Sequence, residues 1–328
     1  MKRLSVTDGL KKMRELNYLD YAIYFVLLTL IIVYAVMSPN FLTSRNLFSM
    51  LINGNHLLII SLGMAFVILV GKIDLSVGSI SYVAMVIAGT LMRDVGFPPL
   101  TGFIVCLMVG FCIGLANGLL IIKFKLNSML VTMGMMIALR GVGHQITQSL
   151  VIELSEEVQA PIIATIGGFP LMIILAVLLT LGTQMVFSFT TFGKYAVAIG
   201  CHETAAKNIG INTDRINLNV FIISGIFAAM AGYYNAANLG TCLQTMGNGW
   251  EFQAISIAVL GGISLSGGTG NTFPGVFIAF LIIVIVENGL ALLGATPYLL
   301  PIIRGLVIFI AMFADSLRMR KKHLSFAA

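Results

Sequence analysis

The sequence predicts an all-α membrane protein, a polytopic bundle of about ten transmembrane helices that forms a single domain over residues 1–328. Its composition is the first observation behind this prediction. Hydrophobic residues make up 58% of the chain and charged residues only 10%, whereas about a quarter of a soluble domain is charged. The second observation is a series of apolar windows, each long enough to cross a bilayer. We therefore expect the membrane lipid to be the main solvent of this chain.

Ten apolar windows reach or approach spanning length. The third and eighth are short or rich in glycine, and an arrangement of eight spans would have to discard two windows. The ten windows lie near residues 21–37, 56–71, 79–92, 100–122, 128–147, 161–190, 216–238, 252–268, 273–293 and 297–314.

The distribution of positive charge predicts how these spans are oriented, because Lys and Arg concentrate in cytoplasmic loops. If the N-terminus is cytoplasmic, ten spans place the acidic loop with Glu153, Glu156 and Glu157 outside. We therefore expect both termini in the cytoplasm, with cytoplasmic segments at 1–20 and 316–328. The basic residues that the ten spans place inside are Lys123, Lys125, Lys194, Lys207, Arg215, Arg318, Arg320, Lys321 and Lys322.

Several classes of function are disfavoured by what the chain lacks. The net charge of +6 comes from residues next to spans, so it does not indicate a nucleic-acid partner. The glycine–lysine pairs at Gly71 and Gly193 are not followed by Ser or Thr, so neither forms a phosphate-binding loop. The sequence contains no zinc pattern and no nucleophile elbow. We expect no enzymatic activity, no metal and no cofactor in this polypeptide.

One polar stretch, Phe192 to Arg215, interrupts the apolar windows. Its centre at residues 200–211 predicts a helix of about two turns that ends at Gly210, with Ile211 folding back as in a Schellman motif. Glu203 and Lys207 have the spacing of a helical ion pair, and residues 213–214 offer a cap for the next span. A helix this short is marginal in water. It is either held by another protein or an ordinary capped loop helix.

A second polar motif joins two spans at residues 71–79. Asp74 stands so close to the hydrocarbon that it must be paired or capping. It either accepts hydrogen bonds from amides that open the next helix, pairs with Lys72, or contacts a substrate, and capping is the favoured interpretation. Ser76 and Gly78 belong to the same motif.

Residues 261–268 partly repeat this motif, and Asn117–Leu119 is partly repeated at Asn288–Leu290. Paired glycines permit broken backbone in a membrane, which is tolerated when it is buried in protein or lines a cavity. Tight packing alone explains the glycines at 110, 114 and 118 better than it explains these pairs. Our candidates for the translocation path, or for a structural motif, are Asp74, Ser76, Gly78, Asn117, Gly261, Gly262, Gly267, Gly268, Glu287 and Asn288.

Three ionisable residues lie in or at the ends of spans: Arg140, Glu287 and Arg304. Such residues are functional candidates by default, although a structural role is favoured for each. Glu287 and Arg304 come from consecutive windows and have the opposite charges of a pair. The arginines have side chains long enough to reach the membrane surface.

Several of these motifs, in their order along the chain, resemble one protein family over residues 25–315. This chain is similar to the permease subunits of bacterial binding-protein-dependent ABC sugar importers of the ribose, xylose and galactose type. The segments that carry the resemblance are Phe41–Thr43 with Asn46–Leu47, Gly63–Leu69, Ile73–Ser79, Phe192–Tyr195 with Ala198–Gly200, Val259–Gly268 and Asn288–Leu290.

The resemblance implies the permease fold of type II ABC importers and the import of a small sugar, a pentose or a hexose. It implies three protein partners: an ABC ATP-binding subunit, a periplasmic or lipid-anchored sugar-binding protein, and a second permease subunit, identical or not. ATP would be used by the separate subunit. Related permeases carry sugar-like signalling molecules or nucleosides, which is the alternative within this class.

The resemblance also implies that residues 191–215 form a cytoplasmic coupling loop that docks into the ATPase. The chain departs from the family in two places. Cys201 and His202 replace glycine and asparagine, and Glu287 replaces asparagine. A stand-alone secondary transporter is the alternative of another class, and Asp74 and Glu287 are too few acids for its ion relay. The residues that we expect to couple to the ATPase are Cys201, His202, Glu203, Ala205, Ala206, Lys207 and Gly210.

Overall fold

A computed structural model describes residues 23–296 except 149, together with residues 299, 302, 303, 305, 306, 309 and 313. The expected cytoplasmic segments at 1–20 and 316–328 lie outside the described residues. So do Arg304, with its expected pairing, and most of the window at 297–314.

Within the described part, the chain is mostly helical, with one irregular turn at Thr272–Val276, where Phe273 has extended angles (φ −126°, ψ 127°), leading into the last long helix. Two short antiparallel ladders connect the helices: β1 (Ile152–Glu153) with β4 (Thr241–Cys242), and β2 (Thr165–Ile166) with β3 (Phe169–Pro170). The helices are α1 (Ile23–Met37), α2 (Ser44–Leu69), α3 (Val77–Val95), α4 (Pro99–Lys123), α5 (Ser128–Thr147), α6 (Glu156–Ile163), α7 (Leu171–Phe189), α8 (Thr191–Cys201), α9 (Glu203–Asn208), α10 (Thr213–Leu239), α11 (Trp250–Leu260) and α12 (Phe277–Leu292).

Five described helices are long and apolar enough to cross a membrane: α2, α4, α7, α10 and the continuous stretch Thr272–Leu292. Two apolar helices, α1 and α11, are shorter. The polytopic helical prediction is therefore confirmed, and the count of about ten spans stays a prediction.

Two predicted windows differ from the structure, and glycine explains both. The window at 161–190 is divided into α6, the β2–β3 hairpin and α7, because Gly167 and Gly168 both have positive φ and close a two-residue loop. The window at 252–268 ends as a helix at Leu260, since Gly262 has φ +93°, a backbone conformation that favours glycine.

The centre of the bundle is α10, which packs against α2, α3 and α4. Helices α4 and α10 approach each other so closely that a Cβ at Gly110 would overlap the Gly225 carbonyl oxygen, and a Cβ at Gly114 would overlap the carbonyl oxygen of Phe221. Small residues allow such backbone approach between membrane helices. The packing interpretation of the α4 glycines is therefore confirmed.

Candidate functional site

Asp74 is fully buried in the turn between α2 and α3. Its Oδ1 accepts hydrogen bonds from the amide (3.0 Å) and the hydroxyl (2.6 Å) of Ser76, the residue that precedes α3. The bond to the amide two residues on is an Asx turn, so the capping interpretation is confirmed. The proposed pairing of Asp74 with Lys72 is wrong, because Lys72 bonds elsewhere.

Two further helices complete this buried polar cluster, which we call the Asp74 network. From α10, Ser224 donates its hydroxyl to Asp74 Oδ2 at 2.8 Å. From α4, Asn117 donates Nδ2 to the Ser76 hydroxyl at 2.8 Å. The structure thus brings together three of the predicted site residues, Asp74, Ser76 and Asn117. Sequence reasoning missed Ser224, because a single serine on an apolar helix carries no distinctive signal.

Gly78 lies where the start of α3 meets the irregular segment 243–249. A Cβ at Gly78 would overlap the carbonyl oxygen of Gly247 and would lie 2.7 Å from Glu251 Oε2. Gly247 itself has φ +79° and would overlap Gly78 in the same way. This close approach requires glycine on both sides, which explains the residue at position 78.

Arg140 on α5 stabilises the same irregular segment. Its Nη1 donates to the Met246 carbonyl at 2.7 Å and to that of Gln244 at 3.4 Å. Its guanidinium lies 4.9 Å from the centre of the Tyr82 ring, within the range of a cation–π interaction. Arg140 therefore binds carbonyls that no helix satisfies, which is the structural role expected for it.

The glycine pairs of 261–268 form a turn that packs against the end of α2 and against Gly200 and Cys201 in the last turn of α8. Gly262, Gly267 and Gly268 all have positive φ, so the prediction of broken backbone is confirmed. Gly268 donates its amide to the Leu69 carbonyl at 2.9 Å. A Cβ at Gly267 would lie 2.7 Å from the Gly71 nitrogen.

Glu287 and Asn288 on α12 have partners outside the Asp74 network. Gln253 on α11 donates Nε2 to Glu287 Oε1 at 2.9 Å. Asn288 and Asn46 on α2 exchange amide hydrogen bonds, each 3.0 Å long. These contacts connect α12 to two neighbouring helices, and they give the acid at 287 a hydrogen-bond donor that the sequence did not indicate.

The polar stretch folds as two helices, and the prediction of one helix starting at residue 200 is wrong. Helix α8 continues to Cys201, and His202 then takes extended angles (φ −165°, ψ 97°) before α9 begins. The His202 ring also explains the restart, because its Nδ1 accepts from the Ala205 amide at 3.2 Å and so caps α9 as Asp or Asn would.

The end of α9 agrees with the sequence. Gly210 has φ +89°, its amide bonds the Lys207 carbonyl at 3.0 Å, and the Ile211 amide bonds that of Ala206 at 3.1 Å. These are the two bonds of a Schellman motif, so that prediction is confirmed. The predicted cap at residues 213–214 is wrong, because Asn212 Oδ1 accepts from the Arg215 amide at 2.9 Å.

Glu203 does not pair with Lys207, as its spacing predicted. Its Oε2 lies 3.3 Å from Lys72 Nζ, and its Oε1 accepts from Asn217 Nδ2 at 2.9 Å. Partners 131 and 14 residues away place Glu203 between the α2–α3 turn and α10. The spacing predicted an ion pair with Lys207 within the helix, and contacts with Lys72 and Asn217 take its place in the folded protein.

Most side chains of α9 face away from the protein. Ala206 is the exception, since it is 3% exposed and packs inside the chain, so it does not present a side chain to a partner. Ile209, which the sequence reasoning missed, is 77% exposed. We define the α9 surface as the exposed residues Thr204, Ala205, Lys207, Asn208 and Ile209. Cys201 and His202 are exposed beside it.

The described residues contain no cluster of His, Cys, Asp or Glu that could hold a metal ion. The candidate site therefore consists of a buried hydrogen-bonded network, a glycine-rich turn that packs against Leu69 and Gly71 near the end of α2, and a short exposed helix.

Comparison with known proteins gives a consistent result. A family model described as "Branched-chain amino acid transport system / permease component" matches residues 46–312. The ribose import permease protein RbsC of Escherichia coli K12 is 32% identical over 88% of this chain and 91% of its own length. The galactose/methyl galactoside import permease protein MglC of the same strain is 32% identical over 96% and 99%. No solved structure matches this chain.

Proposed function

The chain belongs to the permease-component family of branched-chain amino acid transport systems, and from this membership we propose that it is the membrane-spanning permease subunit of an ATP-driven importer of a small sugar. The family description names amino acids. The relatives that match most of the chain include sugar permeases: two import ribose and galactose in E. coli K12, and another galactose permease, from Haemophilus influenzae, is 33% identical. A pentose or hexose is therefore the substrate class that these relatives support.

The proposed assembly contains two permease subunits, an ABC ATP-binding subunit on the cytoplasmic side and a sugar-binding protein on the other. The permease has about ten spans of the type II arrangement, lies in the inner membrane, and has both termini in the cytoplasm. This orientation is supported by the loop charges, because basic Lys123, Lys194 and Arg215 and acidic Glu156 and Glu157 alternate between the two sides.

The α9 surface is the docking site that we propose for the ATP-binding subunit. Three observations support it. The helix is only six residues long and is capped at both ends, so the caps hold its backbone in a defined conformation. Most of its side chains are exposed, and Ile209, which is 77% exposed, offers an apolar side chain whose burial would be worth about 1.5–3 kcal/mol.

Uptake is expected to require the partner ATPase. Permease reconstituted alone in liposomes with a proton or sodium gradient should accumulate no labelled ribose or galactose, because Asp74 and Glu287 belong to separate hydrogen-bonded clusters and do not form an ion relay with each other. Permease reconstituted with its ATPase, binding protein and ATP should accumulate one of the two sugars. Accumulation driven by an ion gradient without the ATPase would refute the proposal that the chain is part of an ATP-driven importer.

The variant Ile209→Glu is expected to release the ATPase. Burying a carboxylate where an isoleucine side chain docked removes an apolar anchor worth about 2 kcal/mol or more, which is about a thirtyfold loss of affinity. The measurements are co-purification of the ATPase and uptake of labelled sugar. Ile209→Leu is the matched control and should keep both. Normal co-purification with Ile209→Glu would mean that α9 is not the docking element.

A further inference from the structure

Glu203 stands at the centre of a closed chain of polar contacts. Its carboxylate connects Lys72 in the α2–α3 turn with Asn217 on α10. The same turn carries Asp74, and the same helix carries Ser224, whose hydroxyl bonds Asp74. Asn217 and Ser224 are seven residues apart, so they lie two turns apart on one face of α10.

In the α2–α3 turn and in α10, the residue that contacts Glu203 and the residue that belongs to the Asp74 network are therefore held at a fixed distance from each other. Lys72 and Asp74 are separated by one residue in a tight turn. Asn217 and Ser224 are fixed by the helix between them. A displacement of the Glu203 carboxylate thus acts on both elements that hold Asp74, and through Ser76 and Asn117 it reaches α3 and α4.

Helix α9 is bounded by features that isolate it from its neighbours in the chain. Its N-terminus follows the extended His202, and its C-terminus ends at the positive-φ residue Gly210. Within the described residues, Glu203 makes the side-chain hydrogen bonds between α9 and the elements that hold Asp74. The backbone of the helix can therefore shift as a unit, and the carboxylate carries the shift inward.

Deepening the proposed function, on which this inference rests, we propose that Glu203 is a positioning residue for coupling. It passes the displacement of α9 on ATPase docking and closure to the α2–α3 turn and α10, and so to the Asp74 network. The assignment differs from a docking contact, since the carboxylate points at two residues of its own chain.

The contact contributes little to folding, which makes the inference testable. The Glu203 side chain is 47% exposed, whereas that of Lys72 is only 17% exposed, and an ion pair that water reaches from the carboxylate side stabilises a protein only modestly. Variants at Glu203 should therefore fold and insert. Their defect should show in coupling and not in yield.

The experiment uses permease purified with its ATPase in nanodiscs and measures ATP hydrolysis with and without sugar-loaded binding protein. Wild-type complex is expected to show stimulation. Glu203→Ala should still co-purify with the ATPase, but the ratio of stimulated to basal hydrolysis should fall about tenfold, a typical coupling factor between two sites. Asp214→Ala is the control, because it removes an exposed acid from the first turn of α10 and should keep the wild-type ratio.

Rescue separates positioning from a general structural role. The single variants Lys72→Glu and Glu203→Lys place like charges together and should lower the ratio. The double variant K72E/E203K restores an opposite pair and should recover stimulation. Asn217 can serve the exchanged lysine, because its buried Oδ1 has no hydrogen-bond partner within the described part of the chain. Glu203→Gln, which keeps the side-chain length, should retain more stimulation than Glu203→Ala.

The outcomes are distinct. A wild-type complex that shows no stimulation would refute the proposed function itself. A stimulated wild type with an unchanged ratio in Glu203→Ala would overturn the positioning role alone. Loss of ATPase co-purification in Glu203→Ala or Glu203→Gln would also overturn it, because Glu203 would then be a docking contact. Recovery in the double variant supports it.

Discussion

Replacing Gly200 with valine is expected to abolish import. Gly200 lies in the last turn of α8, where a Cβ would overlap both the Leu69 carbonyl oxygen and the Gly268 nitrogen. Those two atoms bond each other at 2.9 Å, so neither can withdraw without breaking the bond. Overpacking costs about 1–3 kcal/mol where side chains can yield, and at least that much here, where the neighbours are backbone atoms.

The measurement is uptake of labelled sugar by cells or liposomes with equal amounts of permease, supported by the yield of monodisperse protein in detergent. Gly182→Val on α7 is the matched control, because that helical glycine has no neighbouring atom within 4 Å of its Cβ position. Gly182→Val should transport normally. Wild-type uptake with Gly200→Val would show that the glycine-rich turn does not need to pack against α8.

Replacing Asp74 with alanine is expected to destabilise the bundle and stop transport. The change leaves the Ser76 amide, the Ser76 hydroxyl and the Ser224 hydroxyl without their acceptor. An unsatisfied buried donor costs about 1–3 kcal/mol, so the loss is comparable to the total stability margin of a typical domain. A fall in the thermal unfolding midpoint in detergent and a loss of uptake are the expected results.

Asp74→Asn should be much milder and serves as the control. The asparagine oxygen can still accept from the Ser76 amide, and the Ser224 hydroxyl can rotate to accept from the new amide nitrogen. If Asp74→Ala and Asp74→Asn lose equal stability, the hydrogen bonds of the network are not what the carboxylate provides. If Asp74→Asn is as stable as the wild type but does not transport, the negative charge itself is needed.

The end of α9 shows why some features follow from sequence alone. Gly210 and Ile211 were expected to close the helix, and both Schellman bonds are present. That motif lies within six consecutive residues, and its geometry depends on the absence of a side chain at one position. The Asx turn at Asp74 was predictable for the same reason, because donor and acceptor are two residues apart.

The partners of Glu203 show the opposite case. Its spacing to Lys207 predicted a local ion pair, which is worth only a few tenths of a kcal/mol on a helix surface. Two partners supplied by the fold replace that pair, one of them 131 residues distant. Likewise, Ser224 and Asp74 are 150 residues apart, and no periodicity along α10 distinguishes that serine from others.

The sequence by itself determined that this is a polytopic helical membrane protein, which family it belongs to, and that α9 ends at Gly210. Each of these depends on composition or on residues close together in the chain, so local chemistry is sufficient. Only the tertiary structure decided that Ser224 of α10 bonds Asp74, that Arg140 binds the carbonyls of 244 and 246, and that Glu203 connects α9 to the interior. These contacts depend on which helices pack together, and the backbone approach at glycines such as Gly110 and Gly200 sets that packing over distances that no sequence window spans.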